Sequence, residues 1–400
     1  MQFLLPAAAT AMASCGLATA RASARVRVSA SEFPSFLPKE VERIKDSCAR
    51  ELAKRIERVP VKVSFSKSPI LSSCVKPLQQ QSMEPVVLLH GFDRYELIYM
   101  VPCSLLLNFD FRSYSAKPLK DLILSSCLEW RYTYPLLEDA GIEAWAVDIL
   151  GWGFSNLETL PKCDVAAKRE HLYEFWRSYI KIPMVLVGPS LGAAVAIDFA
   201  ACYPEAVSKL IFIAASVYAE GTGNLSKLPK VVAYAGMFVL KSFPLRLYAT
   251  TLTFNSVPAG SSIDWTNVGR LHCLLPWWKD ATVHFMISGG YNVINQIKQI
   301  KHKSLIIWGE DDQIIDKKLA LRLHDELPHS ALHYIPQCGH IPHVEKPKRV
   351  AKLILEFLRG DVTEKQKPWL SIASPFQIEE EDPLNQLMGN IVFEKAVLSQ

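Results

Sequence analysis

The chain has 400 residues, of which 50% are hydrophobic, and this is ample for a sizeable core in a folded globular protein. Its net charge is +4, but Arg21, Arg25 and Arg27 lie in a segment expected to be removed. The remainder is close to neutral, so nothing in the charge suggests a nucleic-acid partner. The nine cysteines are odd in number and show no C-x-x-C pair or metal-ligand spacing, which favours free thiols in a reducing compartment.

Residues 1–30 have the composition of a transit peptide. They are rich in alanine, serine and threonine, carry the three arginines, and are followed by the first acidic residue, Glu32. The apolar run Phe3-Leu4-Leu5 is too short for a secretory signal and is followed by Pro6. We therefore predict import into the chloroplast, to the stroma or the stromal membrane surface, ahead of the mitochondrion. The alternative is a disordered N-terminus that carries no targeting signal.

Residues 31–83 are predicted to form an N-terminal helix and opening strands. Apolar residues recur at helical spacing among many charges over Pro38–Val59, which predicts one amphipathic helix. Val61–Phe65 and Ile70–Val75 are then predicted as two short strands separated by Pro69.

Residues 84–216 are predicted as the first part of an α/β core. Continuous apolar runs of the kind buried on both faces of a parallel sheet alternate with helical segments. The predicted strands are Pro85–Leu89, Glu143–Asp148, Met184–Val187 and Lys209–Ala215, and the helices are Trp130–Ala140, Lys168–Ile180 and Ala193–Ala201. This alternation predicts a mainly parallel, doubly wound sheet.

Residues 94–124 do not fit this alternation. If they are removed, His90-Gly91-Phe92-Asp93 joins Ser125-Ser126-Cys127, and the result is a short loop followed by a helix. Long loops without a helical or strand period are uncommon in compact domains. We interpret the segment as an insertion, either translated intron sequence or a gene-model error, and the alternative is a genuine lid or partner-binding loop.

Residues 217–298 interrupt the alternation and are predicted to form an α-helical cap between two core strands. The run Val231–Phe254 is hydrophobic enough to suggest a membrane span, but Lys241, Pro244 and Arg246 interrupt it well before the length that a bilayer needs. A pair of cap helices is therefore predicted over this run, and the apolar surface of the cap allows a peripheral membrane contact.

Five aromatic residues of the cap are candidates for either its core or its substrate contacts. They are Trp265, Trp277, Trp278, Phe285 and Tyr291. Pockets for small molecules are lined mainly by apolar and aromatic side chains, so the substrate is expected to be apolar.

Residues 299–360 are predicted as the second part of the core. Ser304–Gly309 is a strand that ends in Glu310, Asp311 and Asp312, and a helix, a further strand and a closing helix to Arg359 follow. Residues 361–400 contain prolines and an acidic run and are predicted to be a mobile tail.

A G-x-S-x-G sequence lies where the strand at Met184–Val187 meets a helix rich in small residues. A serine that projects above a sheet requires a tight turn with strained dihedral angles, and the neighbouring positions must be nearly free of side chains. Gly188 and Gly192 provide that space around Ser190. The order of strand, turn and helix is that of a nucleophile elbow.

Five motifs together resemble the α/β-hydrolase superfamily, in its capped branch of epoxide-hydrolase-like and dehalogenase-like enzymes. They are H-G-F, G-W-G-F-S, G-P-S-L-G, W-G-E-D-D and C-G-H-I-P-H-V-E-K-P, and they lie between Pro85 and Arg359. The match looks closest to plastid-targeted plant members. The resemblance implies that Ser190 is the nucleophile, Asp312 the triad acid and His340 the base, with the backbone N–H groups of Phe92 and Leu191 forming the oxyanion hole.

Two further residues lie close in sequence to the implied acid and base. Asp311 is the alternative to Asp312 as the acid on motif spacing alone. His343 is predicted to lie at the surface or at the edge of the pocket. The resemblance implies no metal and no organic cofactor.

The chain differs from the capped branch that it resembles in the residue at the nucleophile position. Epoxide hydrolases and dehalogenases attack with a carboxylate from the elbow, whereas this chain has Ser190 there, and a serine forms an acyl-enzyme with esters and related acyl compounds. We therefore predict a serine hydrolase that acts on a small apolar ester-type substrate. The alternatives are an esterase of chlorophyll or lipid catabolism, and a slow-turnover ligand receptor or non-catalytic scaffold on the same fold.

Overall fold

The computed structural model describes residues 32–80, 84–92, 126–227, 229–257 and 260–361. The predicted transit peptide, the insertion 94–124 and the tail beyond Asp361 lie outside the described residues. All cysteines that lie within them carry free thiols.

The described strands form one sheet of eight strands in the order β1-β2-β4-β3-β5-β6-β7-β8. The pairs β1–β2 and β2–β4 are antiparallel, and every other pair is parallel. The strands are β1 (Ile56–Val61), β2 (Ile70–Val75), β3 (Val86–Leu88), β4 (Ala144–Val147), β5 (Met184–Pro189), β6 (Val207–Ile213), β7 (Lys303–Gly309) and β8 (Ser330–Ile335). The predicted mainly parallel sheet is confirmed.

The helices outside the cap cover both faces of this sheet. They are α1 (Ser47–Lys54), α2 (Thr133–Asp139), α3 (Val165–Phe175), which continues as a π-helical turn to Ile180, α4 (Leu191–Cys202), α10 (Lys318–Glu326), α11 (Pro342–Glu345) and α12 (Pro347–Arg359). Consecutive residues of β3 face opposite ways, because Val87 packs in the cluster with α3 and α4 whereas Val86 packs with α1, α2 and α12. The sheet is therefore doubly wound, as predicted.

The prediction for the N-terminal segment is wrong in part. Instead of one helix over Pro38–Val59, the chain forms a short 3-10 helix (Lys39–Arg43), α1 and then β1. The predicted strand Val61–Phe65 is replaced by β1, which ends at Val61, whereas β2 lies where it was expected. Ile56–Val61 is extended because every residue in it is paired with a residue of β2, and this pairing outweighs the local helical spacing.

The cap consists of helices inserted between β6 and β7. They are α5 (Lys230–Lys241), α6 (Phe243–Thr253), α7 (Ser261–Arg270), α8 (Trp278–Ile287) and α9 (Ile294–Ile297). The apolar run over Val231–Phe254 breaks at Ser242 into the predicted pair of helices. Within the described ranges, no helix has both the length and the apolar character needed to cross a bilayer.

Candidate active site

Ser190 lies at the turn between β5 and α4. Its backbone has φ 47° and ψ −120°, a left-handed conformation that is strained for a residue with a side chain. Its N–H donates to the Ile213 carbonyl at 2.8 Å, which ties the turn to the end of β6. The strain and the anchor together hold the hydroxyl above the carboxyl ends of the parallel strands.

The two glycines of the elbow are required by close backbone contacts. A Cβ atom at Gly188 would lie 2.6 Å from the Ala193 nitrogen, and one at Gly192 would lie 2.6 Å from the His90 carbonyl oxygen. Real Cβ atoms essentially never approach so closely. The predicted role of both glycines is confirmed, and Gly192 also brings the elbow against the His90 loop.

Three of the predicted site residues form one hydrogen-bonded series. His340 Nε2 lies 3.1 Å from the Ser190 hydroxyl, and His340 Nδ1 lies 2.8 Å from Asp312 Oδ2. The other oxygen of Asp312 accepts from the N–H groups of Ile314 and Ile315 at 2.8 Å and 3.0 Å. An anion held in this way fixes the imidazole with its proton on Nδ1, so that Nε2 faces the serine as an acceptor.

Asp311 does not compete for the imidazole. It is exposed, and its backbone N–H donates to the Cys338 carbonyl at 3.0 Å, whereas the side chain of Asp312 is fully buried against His340. Of the two acids left open by the motif spacing, the structure brings Asp312 to the histidine.

The cap holds the loop that carries His340. The His340 N–H donates to the carbonyl of Thr253 at 2.8 Å, at the end of α6. A Cβ atom at Gly339 would lie 2.5 Å from that carbonyl and 2.7 Å from the Asn255 nitrogen. The backbone of the cap is therefore in direct contact with the loop that carries His340.

The two predicted oxyanion donors belong to adjacent segments, because Leu191 directly follows Ser190 and a Cβ atom at Gly91, the residue before Phe92, would lie 3.6 Å from the Ser190 Cβ. Leu191 is the first residue of α4, and a first-turn N–H has no intrahelical acceptor and lies at the positive end of the helix dipole. Phe92 is buried, with its ring 3.6 Å from the Trp152 ring and 5.5 Å from the ring of Phe285 in the cap. An aromatic side chain of the cap therefore lies beside the His90-Gly91-Phe92 loop.

Glu129 is a site residue that the sequence analysis missed. Its carboxylate is buried and accepts from the Gly91 N–H at 2.7 Å through Oε2, and Oε1 lies 2.7 Å from His343 Nε2. The prediction that His343 lies at the surface or pocket edge is wrong. The ring of His343 is buried against the Trp130 ring, at 4.6 Å between centroids, and is held by Glu129 because α11 packs on the segment after the insertion. The loops that carry Phe92 and His340 are linked through this pair.

His90 and Asp148 stabilise the same loop from the other side. Burial lowers the pKa of His90 to about 4, and its Nε2 accepts from the Ile149 N–H at 3.0 Å, so the neutral ring directs Nδ1 at the Gly91 carbonyl, 2.6 Å away. Burial raises the pKa of the Asp148 carboxyl to about 6, and that carboxyl accepts from the N–H groups of Cys127 and Phe154 at 2.6 Å and 2.8 Å.

The second glycine of the G-W-G-F-S motif, Gly153, is explained by Asp148. Gly153 has φ +66°, and a Cβ atom there would overlap the Asp148 carboxyl group. The loop therefore closes around the buried carboxyl group of Asp148.

Lys168 has a buried amine that lies against the loop containing Leu150 and Trp152. Its Nζ donates to the Leu150 carbonyl and lies 3.4 Å from the centroid of the Trp152 ring and 5.0 Å from that of Phe285. Burial lowers its pKa to about 7. It supports Trp152, on which the Phe92 ring packs.

Lys168→Met should flatten the dependence of stability on pH above neutrality. An unfolded lysine titrates near pH 10.4, so between about pH 7 and 10 the unfolded chain binds more protons at this position than the folded chain does. The free energy of unfolding should therefore rise with pH in the wild type by up to about 1.4 kcal/mol per pH unit from this group. The measurement is urea unfolding at a series of pH values. Lys352→Met, at a side chain that is 65% exposed, serves as the control, and parallel curves for wild type and Lys168→Met would contradict the assignment.

The segments before and after residues 94–124 are hydrogen-bonded to each other. After it, the Trp130 indole N–H donates to the Leu89 carbonyl at 2.6 Å, and Glu129 binds the Gly91 N–H. Without residues 94–124, six residues would lie between Gly91 and Glu129, and this stretch could span roughly 20 Å. That is more than the distance of roughly 9 Å between their Cα atoms that the hydrogen bond permits.

Deleting residues 94–124 should therefore leave a folded chain with an intact site. We expect the deletion variant to have a thermal midpoint and an ester-hydrolysis rate at least equal to those of the full chain, because the anchors on both sides are kept. Thermal unfolding and turnover of a p-nitrophenyl ester are the measurements. A deletion variant that folds but has lost turnover would favour the alternative of a genuine functional loop.

The similarity of this chain to known proteins extends beyond the five motifs. The model of the alpha/beta hydrolase family matches residues 86–353. The alpha/beta hydrolase domain-containing protein VTE7 of Arabidopsis thaliana is 53% identical over 339 residues, which cover 84% of this chain and 93% of that protein. The 2-hydroxy-6-oxononadienedioate/2-hydroxy-6-oxononatrienedioate hydrolase of Comamonas testosteroni is 30% identical, over 43% of this chain and 62% of its own. A thermophilic esterase from Thermogutta terrifontis shares the fold, with a TM-score of 0.57 and 19% identity over 77% of this chain and 100% of its own.

Proposed function

Because the chain belongs to the alpha/beta hydrolase family, we propose that it is a serine hydrolase that cleaves an apolar ester or a related acyl compound. The observation that carries this proposal is the distance of 3.1 Å between the Ser190 hydroxyl and His340 Nε2, with Asp312 behind the imidazole. A serine is a poor nucleophile at neutral pH unless such a base takes its proton.

The reaction would proceed in two halves. His340 takes the Ser190 proton as the oxygen attacks the carbonyl carbon, and the oxyanion that forms faces the N–H groups of Phe92 and Leu191. His340 then gives the proton to the leaving alcohol, and an acyl-enzyme remains on Ser190. In the second half a water molecule attacks the acyl-enzyme while His340 takes its proton; the bond to the Ser190 oxygen then breaks, His340 returns the proton to that oxygen, and the acid product leaves.

The apolar character of the substrate is supported by the cap. The Phe285 ring lies 5.5 Å from the Phe92 ring and 5.0 Å from the Trp152 ring, so aromatic side chains of core and cap pack around the side chain of Phe92, whose N–H is the proposed oxyanion donor. The other cap aromatics are mostly internal, with Trp265, Trp278 and Tyr291 buried. The proposed chlorophyll- or lipid-catabolic esterase is a narrower form of the same function, in which the leaving group or the acyl group is a long apolar chain.

A fluorophosphonate probe combined with ester turnover tests the proposal. The wild type should be labelled on Ser190 and should hydrolyse p-nitrophenyl esters with many turnovers per chain, whereas Ser190→Ala should do neither. Labelling without turnover would favour the slow-turnover receptor, and turnover that survives in Ser190→Ala would refute the acyl-enzyme on this residue. Comparing short and long acyl chains then measures the preference for apolar groups.

A further inference from the structure

The outer surface of the cap helix α5 is apolar, although it faces solvent. The buried side of the helix consists of Ala233, Gly236, Met237 and Leu240. The opposite side, which we call the α5 outer face, consists of Val231, Tyr234, Ala235, Phe238 and Val239, at the i, i+3, i+4, i+7 and i+8 spacing of one helix face. Val231 is 76% exposed and Phe238 is 67% exposed. The solvent side of a surface helix is ordinarily polar, so this one requires an explanation.

Cations surround the α5 outer face. Lys230 and Lys241 are the first and last residues of α5, and Lys227 ends the short 3-10 helix (Gly223–Lys227) that precedes it. Lys279 of α8 lies over both aromatic rings of the face, with Nζ 5.3 Å from the Tyr234 centroid and 5.2 Å from that of Phe238.

Acidic residues are rare around the same face. The sequence contains no Asp or Glu between Glu220 and Asp264. Asp280 of α8 is an acidic residue that does lie at this face, beside the Tyr234 hydroxyl. An exposed apolar strip with a cationic border is the pattern of helices that lie in the interface of a membrane with anionic lipids.

We propose that the α5 outer face docks on a bilayer that contains anionic lipid. Val231 and Phe238 enter the headgroup region, and the lysines around them pair with lipid phosphates. A helix of 12 residues is too short to span a bilayer, so it lies in the interface. The contact is made by a cap helix and does not depend on the proposed reaction.

Vesicle flotation tests the docking with the full-length chain. Wild type and Ser190→Ala should both float with vesicles of phosphatidylcholine and phosphatidylglycerol, and far less with phosphatidylcholine alone. The double variant Val231→Ser/Phe238→Ser should bind about tenfold more weakly, because two apolar groups no longer enter the interface. Lys230→Gln/Lys241→Gln should weaken binding about fivefold for each lysine and should lower its sensitivity to salt.

Matched controls separate docking from general surface effects. Leu78→Ser removes an apolar side chain that is 75% exposed outside the cap, and Lys352→Gln removes a lysine whose side chain is 65% exposed on α12. Neither should change flotation. The fold of each variant is checked by its thermal midpoint.

Three results would overturn the proposal. The first is flotation that Val231→Ser/Phe238→Ser leaves unchanged. The second is binding that appears only after removal of residues 362–400, which would show that this acidic segment occupies the face. The third is a dimer in sedimentation that Phe238→Ser dissolves, which would show that a second copy of the chain is the occupant.

Discussion

Asp312→Asn should lower kcat/KM for an ester substrate by about 10⁴-fold, while the fold is retained. Asp312 Oδ1 accepts from two backbone N–H groups, of Ile314 and Ile315, so the amide oxygen of an asparagine must occupy that position. The amide NH2 then faces His340 Nδ1, where Oδ2 now lies at 2.8 Å. Because Nδ1 must accept from that NH2, the ring carries its proton on Nε2 and cannot take the proton of Ser190.

Asp311→Asn is the matched control for this change. Asp311 is adjacent in sequence but exposed, so its replacement should leave kcat/KM within about twofold. Both the steady-state rate and the rate of fluorophosphonate labelling should separate the two variants. If Asp311→Asn lost as much activity as Asp312→Asn, or if Asp312→Asn lost less than about tenfold, the acid would have been assigned to the wrong residue.

The sequence predicts the grouping of Ser190, Asp312 and His340 because each follows a strand of one parallel sheet. Ser190 follows β5, Asp312 follows β7 and His340 follows β8, and these strands lie close together in the order β5-β6-β7-β8. Carboxyl ends of parallel strands meet at one edge, so short motifs after each strand are brought together without further information.

The link between Glu129 and His343 could not be predicted in the same way. The two residues are 214 positions apart, and neither lies in a motif whose spacing requires the other. From the sequence alone, Glu129 would be expected to be exposed to solvent at the start of a helix, because acidic side chains are seldom buried without a partner. A usable signal was present in the joined sequence, where removal of residues 94–124 places Glu129 shortly after the Gly91 loop.

The N-terminal segment shows a second limit of reading local patterns. Ile56 and Val59 are spaced by three residues and therefore extend the helical period of α1, yet both lie in β1 and are buried. Spacing in one segment cannot reveal the partner strand, and here the pairing of Ile56 with Val75 through to Val61 with Ile70 decides the conformation.

Glu129→Ala should lower kcat by about 10²-fold while KM changes by less than about threefold, since loss of one oxyanion donor costs about 10²–10³-fold. The Glu129 carboxylate holds the Gly91 N–H at 2.7 Å, one residue before the Phe92 N–H. Without that acceptor the Gly91–Phe92 segment is free to turn toward another partner, and the Phe92 donor leaves the position that the oxyanion requires. Glu129 would thus be a positioning residue, which acts through Phe92 and does not touch the substrate.

A purely structural role for Glu129 would give a different result. Glu138→Ala is the control, because Glu138 on α2 also binds its partner, Arg55, through both carboxylate oxygens, at 2.7 Å and 2.9 Å. Its loss should lower the thermal midpoint without changing kcat per labelled site. Glu129→Gln should recover most of the activity, since its amide oxygen can accept from Gly91 and its NH2 can donate to His343 Nε2. If kcat per site, counted by the final extent of fluorophosphonate labelling, were unchanged in Glu129→Ala, the carboxylate would contribute to stability alone.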